Sequence, residues 1–133
     1  MSKTTLFHSL TFADAQAAMT FLEAIGFTKA TVYTDETDPG SVVHAQYNWG
    51  EYGAIMFGSS GRADRDEPAG SVGNAQCYCV VDTDEEVDAV HEKALAAGAS
   101  SVRPPEDQGY GGRGCTVRDA EGNKWSFGSY RGE

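Results

Sequence analysis

The chain runs towards its end through Gly114-Cys115-Thr116-Val117-Arg118-Asp119-Ala120-Glu121-Gly122-Asn123-Lys124-Trp125-Ser126-Phe127-Gly128-Ser129-Tyr130. This stretch reads as strand, tight turn, strand. Asp119 and Asn123 can hydrogen-bond their own backbone, and Gly122 accepts positive φ, so residues 119–123 form the turn. On either side, apolar Val117, Trp125 and Phe127 alternate with polar Thr116, Arg118, Lys124 and Ser126. Alternation with period two marks strands with one face on a core and one face free.

Working outward, the same logic divides the whole chain. Leu6 to Phe12 alternates and predicts a strand, with Leu10 and Phe12 on one side and Phe7, Ser9 and Thr11 on the other. Asp14 is placed to cap a helix whose Ala17, Ala18, Phe21, Leu22 and Ile25 recur at helical spacing, and Gly26 ends it. Strands follow at residues 27–34, 42–49 and 54–57. Residues 59–73, rich in Gly, Ser, Asp, Arg and Pro, read as a linker. A strand at residues 75–81 then leads to a helix capped by Asp82 or Asp84, carrying Val87, Val90, Ala94 and Leu95 and ended by Gly98. A short strand at residues 100–103 closes at Pro104 and Pro105, residues 106–112 form a loop, and the closing hairpin completes the order. Each half therefore reads strand, helix, strand, strand, strand. An internal repeat constrains architecture more than any single element does. One domain is expected over residues 1–133, with modules at 1–58 and 74–133 joined by the 59–73 linker. The fold class is α+β: two βαβββ modules forming a curved mixed sheet around a cleft.

Composition narrows the function. The 133 residues are 40% hydrophobic, enough for a packed core, and the formal net charge is −10. Nucleic acid is a poor partner for such a chain; the acidic excess reads first as keeping the protein soluble, with attraction of a cationic small molecule as the alternative. No apolar run approaches the ~20 residues of a membrane span, and Met1 to Thr5 precede no apolar leader segment, so a cytoplasmic protein without membrane contact is expected. Of three cysteines, Cys77 and Cys79 share a face of one strand. They read as buried reduced thiols, with a metal pair as the alternative.

The motifs Phe12-Ala13-Asp14, Phe21-Leu22-Glu23-Ala24-Ile25-Gly26-Phe27, Ala96-Ala97-Gly98-Ala99 and, above all, Arg118-Asp119-Ala120-Glu121-Gly122-Asn123-Lys124-Trp125 resemble those of the vicinal oxygen chelate superfamily. This is the family of glyoxalase I, bleomycin resistance proteins and extradiol dioxygenases. The resemblance covers nearly the whole chain and implies the same paired module. In metal-dependent members, His, Glu or Gln ligands come from the first and fourth strands of each half. Carried over, those positions are Phe7, Met56, Gln76 and Ser126. They make no divalent site, because imidazole and carboxylate supply the affinity of such sites. No cofactor is expected.

The free faces then define a candidate pocket: Phe7, Ser9, Thr11, His44, Gln46, Asn48 and Met56 from the first half, and Gln76, Tyr78 and Ser126 from the second. Tyr110, in a glycine-rich loop, is placed to fold over it as a lid. His8 shares a face with Leu10 and could reach the pocket only through a bulge, and His91 lies outside on the second helix. His44 suits either proton transfer or a structural hydrogen bond. No nucleophile-and-base arrangement follows from the spacing. Similarity to the bleomycin resistance branch implies a metal-free homodimer that sequesters an antibiotic or similar compound. The alternative is a metal-dependent lyase, isomerase or dioxygenase of the glyoxalase type.

Overall fold

The computed structural model describes residues 3–63 and 67–133. It holds two helices and eight strands in two four-stranded mixed sheets, within an α+β fold. Two units divide the chain, residues 1–74 and 75–133.

In the first unit β1 (Phe7–Phe12) leads to α1 (Ala15–Ile25), β2 (Thr28–Thr34), β3 (Val42–Trp49) and β4 (Gly53–Ser59). The sheet order is β1-β4-β3-β2, with β1 parallel to β4 and the other pairs antiparallel. The helix starts where the Asp14 carboxylate accepts the Ala17 amide at 3.0 Å, and stops at Gly26, whose φ of 119° favours glycine. Ala15, Ala18, Phe21, Leu22 and Ile25 form its buried stripe. Leu10, Phe12, Ala45, Tyr47, Ile55 and Phe57 supply the sheet side of this core. The Tyr47 hydroxyl donates to Glu23 of α1 at 2.7 Å, which satisfies a polar atom on a fully buried ring. Burial first, and then the Glu23 carboxylate, hold that phenol well above the ordinary tyrosine range. Trp49 packs on Phe27 with ring centroids 4.9 Å apart, and lies so close to Gly26 that a Cβ there would sit 3.3 Å from the indole. Within the linker, Val72 bridges to Thr11 of β1. Residues 64–66 of that linker, like Met1 and Ser2 at the start, lie outside the described residues.

In the second unit β5 (Gln76–Val80), α2 (Asp84–Ala96), β6 (Ser100–Asp107), β7 (Arg113–Arg118) and β8 (Lys124–Gly128) form a sheet of order β5-β8-β7-β6. The closing turn is organised by one side chain. Asp119 accepts the amides of Glu121 and Asn123, each at 3.0 Å, the Asn123 side-chain amide at 3.1 Å and the Trp125 indole N–H at 2.9 Å. Asn123, 1% exposed, in turn accepts the Ala75 amide at 3.0 Å, which ties the turn to the start of β5. Trp125, Phe127, Val117, Cys115, Cys79 and Val81 pack beneath α2.

Three expectations change. The strand at residue 100 continues through Pro104 and Pro105 to Asp107. β6 is the edge strand, where a missing N–H breaks no central ladder, and its register shifts between Arg103 and Glu106 to pass the prolines. The cap of α2 is Thr83, whose hydroxyl accepts the Glu86 amide at 3.2 Å, while Glu86 accepts the Asp82 amide at 3.1 Å. His91 is not on the outer side of α2; it is buried, with Nε2 2.9 Å from the Ser101 hydroxyl of β6.

Replacing Asp119 with Ala leaves the buried donors of Asn123 and Trp125 unmet. Urea unfolding is expected to show a loss of about 2–4 kcal/mol, with Asp119→Asn intermediate. The thiols also differ. Cys79 and Cys115 are buried, and burial pushes the Cys115 thiol up to about 11. The half-buried Cys77 is held below the usual thiol range by its hydrogen bond with Cys79, which lies well above it. A lower pKa leaves more thiolate at pH 8. Iodoacetamide labelling followed by mass spectrometry is therefore expected to modify Cys77 first, and Cys79 and Cys115 only as the protein unfolds.

Candidate functional site

Each sheet buries one face under its helix, so side chains of the other parity line a face turned away from that helix. In the first unit this face carries the rows Phe7–Ala54–Asn48 and Ser9–Met56–Gln46, with His44 opposite Tyr33 and Thr11 beside Gly58. Phe7, Ser9, His44, Gln46 and Met56 thus share one surface. Gln46 donates to Asn48 at 3.0 Å. The His44 ring stacks on Tyr33 with centroids 6.3 Å apart and planes at 28°. β1 runs beside β4 without a bulge, so His8 stays on the α1 side opposite Ile55, with Nε2 buried and unpartnered among the described residues.

The second unit's outer face carries the rows Gln76–Lys124–Arg118, Tyr78–Ser126–Thr116–Arg103 and Val80–Gly128–Gly114–Glu106. The hydroxyls of Ser126 and Thr116 lie 2.7 Å apart. Tyr78 leans along the face over Gly128, where a Cβ would fall 2.2 Å from its hydroxyl oxygen. That hydroxyl donates to the Tyr130 carbonyl at 2.8 Å. Burial first, and then the Tyr110 phenol, raise the Tyr78 pKa, so it remains a donor at neutral pH. Tyr110 and Tyr130 meet edge to face, with centroids 4.9 Å apart and planes at 77°. Together with Val80, Arg131 and Gly132, the three tyrosines line a cavity of about 470 Å³.

The structure brings together Tyr78 and Tyr110, but Tyr110 stands as a wall, not as a lid over open space. Its loop is closed by Gln108 N–H to Gly112 carbonyl at 2.8 Å and Gly111 N–H to Gln108 carbonyl at 3.1 Å. Gly112 lets the tail approach: a Cβ there would meet Ser129 Oγ at 2.8 Å. Ser129 also receives the Arg113 amide at 3.0 Å and donates to Asp84 at 2.6 Å. Arg131 pairs with Asp82. Sequence reasoning missed Val80, Tyr130, Arg131 and Gly132. The signal available was Gly128 at the end of β8, since glycine inside a strand marks close approach by another group.

The glyoxalase/bleomycin resistance protein/dioxygenase superfamily profile matches residues 6–127. The chain belongs to this superfamily. TioX from Micromonospora sp. ML1 is 27% identical, with a TM-score of 0.74 over 96% of this chain and 100% of that one. A lactoylglutathione lyase from Agrobacterium tumefaciens is 21% identical, with a TM-score of 0.67 over 93% and 92%. The fosfomycin resistance protein FosX from Listeria monocytogenes, in a complex with Mn(II) and a dihydroxypropylphosphonic acid, is 16% identical, with a TM-score of 0.66 over 98% and 93%. The last two likenesses are of fold. No curated protein sequence matches.

The resemblance carries the superfamily's metal-ligand positions onto a phenyl ring, a thioether, an amide and a hydroxyl: Phe7, Met56, Gln76 and Ser126. The Ser126 hydroxyl is engaged with Thr116. This donor set does not fit a divalent ion. Among the described residues, no three His, Cys, Asp or Glu side chains group to hold a metal.

Gly128→Ala tests the cavity wall. Gly128 adopts no positive φ, so alanine fits the backbone and acts on the Tyr78 ring. The substitution is expected to lower Tm, and Tyr78→Ala in the same chain to restore it. That non-additivity is read in a double-mutant cycle.

Proposed function

We propose that this superfamily member is a small-molecule-binding protein that works without a metal ion and sequesters a planar aromatic compound, such as an aromatic antibiotic. The tyrosine-walled cavity carries the reading. Three phenol rings offer faces and edges for stacking at low entropic cost, and about 470 Å³ lies within the range of small-ligand sites. Polar groups that could fix orientation lie on the same sheet face: Gln76, Ser126 and Thr116. Phe7, Ser9, His44, Gln46 and Met56 share the free face of the first unit's sheet, a separate candidate ligand surface with His44 as a contact. The unsuitable donor set at the metal-ligand positions supports binding over metal-assisted chemistry. A homodimer in the cytoplasm is part of the same proposal, by analogy with the superfamily.

Two measurements test it. Elemental analysis of the purified protein is expected to find no stoichiometric divalent ion, and one ion per chain would overturn the metal-free reading. Thermal shift with neutral naphthalene derivatives and aromatic antibiotics is expected to find stabilisers, since a ligand at a hundred times its Kd adds about 2.7 kcal/mol. Tyr78→Ala and Tyr110→Ala should each weaken such binding by about tenfold, in keeping with the ~0.5–1.5 kcal/mol of an aromatic pair plus lost burial.

A further inference from the structure

The outer face of the second unit holds an arrangement that the aromatic cavity does not explain. Arg118 and Lys124 are direct cross-strand partners, the last pair of β7 and β8 before the turn. Their parity is that of Ser126 and Thr116, opposite to Trp125 and Val117, so both cations belong to the face turned away from α2. Like charges directly opposite on a sheet destabilise it. Neither makes an ion pair among the described residues, although Asp and Glu outnumber Lys and Arg 20 to 10 in the chain. Arg103, opposite Thr116, adds a third cation to the face and is partly offset by Glu106 at 3.7 Å.

The rows connect chemically. From the Tyr78 ring over Gly128, the next row along β8 is the Ser126–Thr116 hydroxyl pair, and the one after is Lys124–Arg118. Each step of two residues is about 6.6 Å. Two steps, from Gly128 to Lys124, make about 13 Å, which two or three fused rings and a charged substituent bridge together with the reach of the long Arg118 and Lys124 side chains. We infer that the ligand carries an anionic substituent, a carboxylate, sulfonate or phosphate, which Arg118 and Lys124 hold with help from Ser126 and Thr116 while the aromatic part rests on the tyrosines. Two cations on one anionic group turn a repulsive pair into charge-assisted hydrogen bonds, and guanidinium suits an oxyanion in particular. The inference rests on the tyrosine cavity being the ligand site. It reverses the expectation from net charge, because contacts at a few ångströms outweigh a diffuse field that salt screens beyond ~10 Å.

Calorimetric titration of the full chain with naphthalene-2-sulfonate and with the neutral naphthalene-2-sulfonamide separates the two ideas. The sulfonate is expected to bind at least about tenfold more tightly, and Arg118→Gln/Lys124→Gln should abolish that preference while leaving sulfonamide affinity within about twofold. The double variant should melt at the same temperature as the parent or higher, because the repulsion is gone. Equal affinity for the two compounds, a preference that survives the double variant, or a marked fall in its Tm would overturn the anion site while the aromatic cavity stands. Binding of neither compound would sink the cavity reading and this inference with it.

Discussion

The second unit depends on one carboxylate. Asp119 gathers two backbone amides, a side-chain amide and an indole N–H, so the turn at residues 119–123 has a single satisfied geometry. That geometry sets the β7–β8 register. A slip of one residue would send Trp125 outward and Ser126 into the core, and neither side chain suits the exchange. Through Asn123 the same network reaches Ala75 and aligns β5 beside β8. Every side chain on the outer face, from Gln76 to Arg118, inherits its position from this arrangement.

The two units answer the same problem with different contents. Each covers one sheet face with a helix and leaves the other to its side chains. In the first unit the outer face is a mixed lining of Phe7, Met56 and hydrogen-bonded amides, with His44 stacked on Tyr33. In the second it is graded: rings at one end, hydroxyls in the middle, cations at the turn. Small residues make the gradient possible. Gly128 gives Tyr78 room to lie flat, and Gly112 lets Ser129 and Tyr130 close against the β6–β7 loop. The cavity is thus built from a strand, a loop and the last residues of the chain. A scaffold of this kind admits many ligands by changing linings, so the superfamily's fold alone says little of what is bound.

Charge works at two ranges here. A net charge of −10 favours solubility and draws cations from a distance. Close to the sheet, Arg118 and Lys124, without an ion pair among the described residues, present the opposite sign. The local arrangement governs recognition, because a ligand's last few ångströms are spent among specific side chains, where water and salt screen least.

The sequence by itself determined the order of elements and the helix-facing side of β1, β5, β7 and β8, while in β3 the irregular pairing at Tyr33/Thr34 buries Val42 and exposes Val43 against the alternation. Period-two alternation in β1, β3 and β8, the Asp14 cap and Gly26 stop, and the Asp119–Asn123 turn are local signals whose physics needs no distant partner. The same alternation put Phe7, Ser9, Gln46, Met56, Gln76, Tyr78 and Ser126 on the outer faces. Tertiary structure decided what local rules could not. Pro104 and Pro105 read as a stop, yet β6 passes them, because an edge strand tolerates a missing donor. Thr83 prevailed over two aspartates as the α2 cap, and His91 turned inward to meet Ser101. Tyr130 and Arg131 follow the last strand with no periodicity of their own. The hydrogen bond from Tyr78, the ion pair of Arg131 with Asp82, the Tyr110–Tyr130 ring contact and the close approach at Gly112 bring them to the cavity wall, and such long-range contacts leave no trace in the spacing of neighbouring residues.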